Sequence, residues 1–188
     1  MSQVVVIAAG LAILALLLYG VTLYNGFIQL RNNIEKSWAN IDVLLKQRHD
    51  EVPNLVACVQ GVAAFEQKVM ENVTLARTQG LEARTIGEKA KASAALSSAV
   101  GSLFAVAEKY PDLKASESYL ALQKRLTGLE NEIADRREFY NDSVNNFNVR
   151  IQQFPDVFLA RPLGFKPREM FKVNDEDKRV IQIQFGAK

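Results

Sequence analysis

The chain has 188 residues, a formal net charge of +2, and positive and negative side chains interspersed along its length. It carries no basic stripe and no acidic tail, so the composition argues against a nucleic-acid partner. The single cysteine, Cys58, cannot form an intrachain disulfide and fits a reducing compartment. Roughly 160 residues beyond the N-terminal apolar region suffice for one domain with its own core.

The N-terminal region is typical of membrane sequence. No charged side chain occurs before Arg31, and the run from Val4 to Tyr24 is apolar. About 20 helical residues cover the roughly 30 Å of a bilayer's hydrocarbon core, so the run is long enough for one span. It lacks the basic start and the small-residue cleavage site of a secretory signal peptide. The sequence therefore predicts a retained single-pass anchor over residues 1–26, with the lipid bilayer as its partner.

Two basic residues indicate the orientation of this span. Arg31 and Lys36 follow it closely, whereas no basic side chain precedes it. Positive charge near a span is retained on the cytoplasmic side. We therefore expect the N-terminus outside and the large C-terminal part in the cytoplasm.

Beyond the span, apolar residues recur at three- and four-residue steps, as in amphipathic helices. The pattern runs from Leu30 to Ala76, is interrupted from Gln79 to Lys89, and resumes from Leu96 to Tyr110. A third segment opens near the expected N-cap Ser116 and keeps nearly heptad spacing to Phe154. The predicted fold class is all-α, with residues 27–155 forming an antiparallel up-and-down bundle of four-helix-bundle type.

Pro53 leaves two interpretations open for the first long element. The apolar phase passes through Pro53 undisturbed, which favours one kinked, continuous helix. Alternatively, Asp50 acts as an N-cap with Pro53 in the first turn of a new helix, so that the chain folds back near Asp50. Matching the lengths of the helices favours this second interpretation.

The chain after Pro155 is expected to be irregular. Within residues 156–188, aromatic and basic side chains are interleaved with Pro162, Gly164 and Pro167, which break helices. Near the end, Ile181, Ile183 and Phe185 alternate with glutamines as in a short strand. Its backbone partner would come from another copy of the protein, or the terminus is frayed.

The inventory of reactive side chains is small. His49 is the only histidine, and no zinc-binding, nucleotide-binding or hydrolase motif accompanies it or Cys58. We therefore expect no enzyme activity, no metal site and no cofactor.

One polar cluster is predicted inside the bundle. The stripe between Ile133 and Tyr140 should present residue 136 or 137 to the core, and both are arginine. A buried guanidinium requires partners. We expect a structural layer that sets the register of the helices, with Arg137 paired to an acidic side chain; alternatives are an anion or headgroup site and solvent exposure. The layer is assigned to Arg137, Asp50, Asp42 and Arg48.

Several segments resemble the LemA family of bacterial membrane proteins. They include Trp38 to Leu55 (WANIDVLLKQRHDEVPNL), Leu103 to Gln123 (LFAVAEKYPDLKASESYLALQ) and Ile133 to Asp142 (IADRREFYND). In order and spacing, the resemblance covers nearly the whole chain from Tyr24 to about Phe171. Residues that match the family's characteristic positions are Arg48, Asp50, Pro53, Asn54, Arg77, Tyr110, Pro111, Asp112, Leu113, Gln123, Arg137, Tyr140 and Asn141.

The resemblance implies one N-terminal span in the bacterial inner membrane, a short external N-terminus, a cytoplasmic helical bundle and no established catalytic activity. Two positions depart from the family pattern. Phe65 stands where members often carry histidine before the glutamate that Glu66 matches, which weakens any acid–base or metal role there. Arg136 stands where a small residue is more common.

Two functions compete on this basis. The first is a non-enzymatic anchored protein that self-associates as a homo-oligomer and organises or shapes the membrane. Ala8, Ala12 and Ala15 lie at intervals that permit close packing of anchor helices, and the apolar stripe from Leu30 to Leu45 needs a cover. The second is a regulatory adaptor that binds a signalling or proteolytic partner at the membrane.

Overall fold

The computed structural model describes residues 1–62 and 65–172, and over these ranges the protein is all-α, as the sequence predicted. Most of the described chain lies in two very long helices and two of intermediate length. The helices are α1 (Ser2–Gln60), α2 (Gln67–Glu82), α3 (Ile86–Ala107), α4 (Pro111–Lys114), α5 (Glu117–Arg150) and α6 (Val157–Ala160). The strand expected from Ile181 to Phe185 lies outside the described residues.

Helix α1 distinguishes between the two interpretations of Pro53. It passes through Pro53 without interruption, so the predicted fold-back near Asp50 is wrong. The apolar pattern from Leu30 to Ala76 is not one helix either, because α1 ends at Gln60 and α2 begins at Gln67. Glycine is among the poorest helix formers, and Gly61 follows the last residue of α1. The chain therefore reverses after the glycine and not at the proline.

The other helix ends follow local signals in the sequence. Thr85 caps α3: its side chain accepts the Glu88 N–H while the Glu88 carboxylate accepts the Thr85 N–H, a reciprocal capping box. Pro111 occupies the start of α4, where its missing N–H is not needed. The Ser116 hydroxyl accepts from the Tyr119 N–H at 3.5 Å, as expected of an N-cap for α5.

The chain packs as two compact units. Unit 1 comprises Met1–Trp38 and Phe139–Arg168, and unit 2 comprises Ala39–Glu138 with the described residues from Glu169 onward. Helices α1 and α5 contribute residues to both units.

In unit 1, the beginning of α1 is apolar and exposed, and its following turns are packed. The Val4–Tyr24 run has an 18-residue window of mean hydropathy 2.8, and none of that window is buried. Phe27 is fully buried, its ring centroid 5.0 Å from that of Phe165. Farther along, Trp38 contacts Tyr140 with the ring centroids 5.5 Å apart. Arg150, the last residue of α5, has its Cζ 5.5 Å from the Phe27 ring centroid. The end of α5 therefore lies beside Phe27, and its earlier turns lie beside Trp38.

Unit 2 holds an apolar core supplied by α1, α2, α3, α4 and α5. Helices α2 and α3 pack directly against each other. Helix α3 is also long and apolar enough to cross a membrane by length and composition, and 39% of its most apolar window is buried inside the protein. The core residues are Val52, Leu55, Val59, Phe65, Val73, Ala76, Leu96, Val100, Leu103, Ala107, Leu113, Tyr119 and Leu126.

Candidate functional site

The largest fully buried polar side chain of unit 2 is Arg48, which is only 2% exposed. Its Nη1 donates to Glu130 Oε2 at 2.5 Å and to Ser97 Oγ at 3.0 Å, and its Nη2 donates to Ser93 Oγ at 2.8 Å. Ser97 Oγ in turn donates to Glu130 Oε1 at 2.6 Å. Arg48, Ser93, Ser97 and Glu130, hereafter the Arg48 cluster, link α1, α3 and α5 through charge-assisted hydrogen bonds.

The structure corrects the polar layer that was predicted around Arg137. Arg137 is exposed, as is Arg136, and so are its expected partners Asp50 and Asp42. Asp42 instead forms an ion pair with Lys89. Of the four residues assigned to the layer, only Arg48 is buried.

The sequence contains only weak indications that Ser93, Ser97 and Glu130 would join Arg48. Ser93 and Ser97 are one helical turn apart and flank Leu96 on the buried face of α3, where a small hydroxyl can meet a neighbouring donor. Glu130 adjoins the Leu129 and Ile133 positions of the α5 stripe. Carboxylates at such positions are common on solvated faces, so spacing alone does not distinguish Glu130 from its neighbours.

A second feature of unit 2 joins Pro53 to Arg77. Proline has no N–H, so Pro53 leaves the carbonyl four residues earlier, that of His49, without its intrahelical donor. Arg77 of α2 fills this gap, donating from Nε to the His49 carbonyl oxygen at 2.8 Å. Pro53 and Arg77 are therefore complementary, because the arginine supplies the donor that the proline lacks. Both match positions of the LemA resemblance.

The His49 side chain lies against Gly80 of α2. A Cβ at Gly80 would meet the His49 ring carbon Cε1 at 2.2 Å, so the helices approach closely only because residue 80 is glycine. Burial of the imidazole, and then the positive charges of Arg48 and Arg77, lower the pKa of His49 from 6.5 to about 4. The ring is therefore neutral at physiological pH, and its Nδ1 is buried without a hydrogen-bond partner among the described residues.

Two small cavities border these features. One of about 170 Å³ is lined by charged and polar side chains that include Asp42, Lys46, His49 and Lys89. The other, of about 200 Å³, has apolar walls from α3 and α5 with Arg48 and Glu130 at its edge. In the second cavity, the two charged groups bind each other and so stabilise the packing of three helices.

Four other positions of the LemA resemblance can be located in the structure. Asn54 is exposed and donates to Glu51 Oε2 at 3.3 Å. Tyr110 precedes α4 and lies against Phe65, with the ring centroids 5.3 Å apart. Asp112 is exposed in the first turn of α4, after Pro111; Asn141 is half-buried beside Tyr140 on α5. Tyr110 and Asp112 thus lie at the start of α4, Asn141 lies beside a packed side chain, and Asn54 lies on the exposed side of α1.

The anchor residues Ala8, Ala12 and Ala15 lie on the exposed apolar part of α1. Within the described ranges, no group of three or more histidine, cysteine, aspartate or glutamate side chains is arranged to hold a metal ion.

These observations define an all-α protein with a membrane-length exposed apolar helix and a polar cluster that links helices. The LemA family model matches residues 37–185, and the chain belongs to the LemA family.

Curated relatives extend this comparison. The chain is 27% identical over 175 residues to the magnetosome protein MamQ 2 of Paramagnetospirillum magneticum, a match that covers 79% of this chain and 64% of that protein. It is 26% identical over 190 residues to the magnetosome protein MamQ of Magnetospirillum gryphiswaldense, covering 86% and 70%. It is 24% identical over 156 residues to the protein LemA of Metamycoplasma hominis, covering 82% and 71%. The chain thus spans less than two thirds of the length of the first of these relatives.

Proposed function

We propose that this protein is a membrane-anchored LemA-family protein that self-associates and organises or shapes the bacterial membrane without catalysing a reaction. The observation that carries the proposal is α1, whose exposed apolar run continues without a break into turns packed against α5. The MamQ relatives are named as magnetosome proteins, and their likeness to this chain supports a role at a membrane.

In this proposal, the soluble helices form an antiparallel up-and-down bundle of four-helix type. Two observations support the arrangement. In unit 1, the contacts of Trp38 with Tyr140 and of Phe27 with Arg150 require α5 to run antiparallel to α1. In unit 2, the core combines side chains of α1, α2, α3 and α5.

A non-catalytic role is supported by how the polar groups are used. The Arg48 guanidinium binds Glu130 and two serines, and the Arg77 guanidinium binds a backbone carbonyl. His49 is neutral and packed against Gly80. These contacts stabilise the folded helices, and the proposal includes no cofactor and no nucleic-acid partner.

Self-association is tested by mass photometry of the full chain in several mild detergents. The proposal expects particles larger than a monomer, and a monomer at every concentration would contradict it. A protein that stays monomeric until a specific protein is added would instead favour the adaptor function.

The alanine face of the anchor provides a matched pair of variants. Ala12→Leu enlarges the face shared with Ala8 and Ala15, and should shift the mass distribution toward smaller particles because the helices can no longer approach closely. Ala9→Leu adds the same volume roughly 100° away around the helix from Ala8 and should leave the distribution unchanged. Equal effects from both variants would exclude the alanine face as the contact.

We further propose that the N-terminus lies outside and the larger part of the chain in the cytoplasm of the bacterial inner membrane. Arg31 and Lys36 after the span support this orientation. A reporter active only in the cytoplasm should work when fused after Lys188, and one that requires export should fail. Labelling of Cys58 by an impermeant thiol reagent should require opened cells, with denatured protein as the control for burial.

A further inference from the structure

The turn between α5 and Phe165 exposes large aromatic side chains. Phe154 is 79% exposed and Phe158 is 73% exposed, and their rings contact each other edge to face with centroids 5.7 Å apart. Leu163 is 48% exposed. Other apolar residues of the same segment, Ile151 and Ala160, are buried. The segment, residues 151–166, therefore has an inward and an outward apolar side, and the outward side has no cover among the described residues of the chain.

Both ends of this segment are fixed at one level of α1. Arg150, the last residue of α5, lies with its Cζ 5.5 Å from the Phe27 ring centroid, and a Cβ on Gly26 would meet its guanidinium at 2.8 Å. At the other end, Phe165 packs on Phe27. Phe27 follows Tyr24, the last residue of the apolar run, by about 4.5 Å along the helix axis. The segment thus begins and ends at the edge of the expected hydrocarbon layer.

The direction of α5 brings the segment toward the bilayer. Tyr140 lies beside Trp38, whereas Arg150 lies beside Gly26, so α5 approaches the apolar run of α1 as it proceeds. The chain that follows Arg150 leaves α5, keeps Asp156 within 3.4 Å of the Arg150 Nε and is back at Phe27 with Phe165. Phe154 and Phe158 therefore belong to a segment whose two ends lie beside Phe27, about one helical turn from the apolar run.

The charges of the segment match a lipid headgroup layer. Its charged residues are Asp156, Arg161 and Lys166, two basic and one acidic. Asp156 forms an ion pair with Arg150, with 3.4 Å between Asp156 Oδ2 and Arg150 Nε. Arg161 and Lys166 are exposed. Segments that lie in a membrane interface combine exposed Phe or Leu side chains with Lys and Arg, which are attracted to anionic lipids.

We propose that residues 151–166 form a second membrane-contact site, in which Phe154 and Phe158 enter the interface beside α1 while Arg161 and Lys166 bind the phosphates of anionic lipids. The inference rests on the proposed membrane span of α1 and adds a second point of attachment. Two attachments fix the tilt and rotation of unit 1 on the bilayer, which a single helix does not.

The test uses spin labels on the full chain reconstituted in vesicles of phosphatidylcholine and phosphatidylglycerol, with Cys58→Ser as background. A label at Phe158→Cys should collide with oxygen, which concentrates in lipid, several-fold more than with a water-soluble nickel chelate, relative to the control. The control is Phe139→Cys, which is also exposed in unit 1 but adjoins Tyr140, about 20 Å from the apolar run by its contact with Trp38. Phe154→Cys repeats the measurement should the Phe158 variant fold poorly.

A third label at Leu14→Cys separates the inference from the proposed span. If Leu14 is lipid-exposed while position 158 is as accessible to nickel as position 139, the second contact is wrong and the span stands. If Leu14 itself is accessible to nickel, the span fails and the inference with it. Shielding of position 158 from both reagents would mean that protein covers it, which also overturns the inference.

The headgroup part has its own measurement. Replacing both Arg161 and Lys166 with glutamine should reduce the lipid exposure of the label at position 158 in the mixed vesicles toward its value in pure phosphatidylcholine. Lys46→Gln, at an exposed lysine of unit 2, is the control and should change nothing. No difference between the two lipid compositions in the parent protein would exclude recognition of anionic lipid.

Discussion

At the scale of single residues, the Arg48 cluster distributes one buried charge over a carboxylate and two hydroxyls. The partners are unequal, because the Arg48 side chain is 2% exposed whereas that of Glu130 is 44% exposed. Removing the Glu130 carboxylate leaves the buried Arg48 charge without a partner and out of contact with water. Removing the Arg48 guanidinium leaves the Glu130 carboxylate, which water can reach. The cost of breaking this pair should therefore depend on which side is changed.

This asymmetry gives a first prediction. Glu130→Ala should lower the free energy of unfolding by about 3 kcal/mol, since an uncompensated buried charge remains. Arg48→Met keeps much of the volume and removes the buried charge, so its cost should be smaller. Chemical denaturation of both variants in one detergent measures the difference, with the exposed Arg137→Ala as control. A larger loss for Arg48→Met than for Glu130→Ala would contradict the assignment.

The contact between Arg77 and the His49 carbonyl gives a second prediction, in the form of a double-mutant cycle. Arg77→Ala should cost about 1–2 kcal/mol, because it leaves the carbonyl without a donor. In a Pro53→Ala background the same change should cost less, since residue 53 then supplies its own N–H to that carbonyl. Thermal unfolding of the four proteins gives the coupling, and additive effects would show that Arg77 acts elsewhere.

At the scale of helices, sequence periodicity predicted much of the secondary structure. The apolar stripes, Ser116 and the Tyr110–Pro111 step located α3 and α5 closely. The failure around Arg137 has a structural reason, because α5 passes from unit 2 to unit 1 between Glu138 and Phe139. A gap in the stripe there marks the end of one packed unit, and a periodicity argument cannot distinguish this from a polar layer inside one unit.

The approach of α1 to α2 gives a third prediction. Gly80→Ala places a Cβ against the His49 ring, so either the ring or the helix must shift, at a cost of about 1–3 kcal/mol. Gly101→Ala is the matched control, because that glycine also lies within a helix and a Cβ added there would meet nothing within 4 Å. It should gain up to about 1 kcal/mol from helix propensity. The same sign for both variants in a melting experiment would contradict the close contact.

At the scale of the whole molecule, stability should depend on the single histidine. The folded pKa of about 4 lies below the ordinary 6.5, so the unfolded chain binds more protons between these values. The stability contributed by neutral His49 is complete above pH 6.5 and is lost as the pH falls toward 4. The loss is at most about 3 kcal/mol, and solvent screening of the neighbouring Arg48, Arg77, Lys89 and Asp50 charges reduces it.

The fourth prediction follows from this sign. Melting temperatures measured from neutral pH down to about pH 5 should fall more steeply for the parent protein than for His49→Gln, which has no histidine to titrate. The carboxylates titrate in both proteins and cancel in the comparison. Parallel pH profiles would show that the imidazole is accessible to protons in the folded state.

The continuity of α1 from Tyr24 to Phe27 has a consequence for helical phase. No linker separates the apolar run from the turns packed in unit 1. The angle around the helix axis between the Ala12 face and the Phe27 contact is therefore fixed. Inserting one alanine after Tyr24 rotates the two faces by about 100°, whereas inserting seven restores them to within about 20°. If the anchors associate in register with the rest of the chain, the single insertion should reduce the assembly seen by mass photometry and the sevenfold insertion should recover it. Assembly would then depend on the number of residues between Ala12 and Phe27, because that number sets the rotation between the two faces.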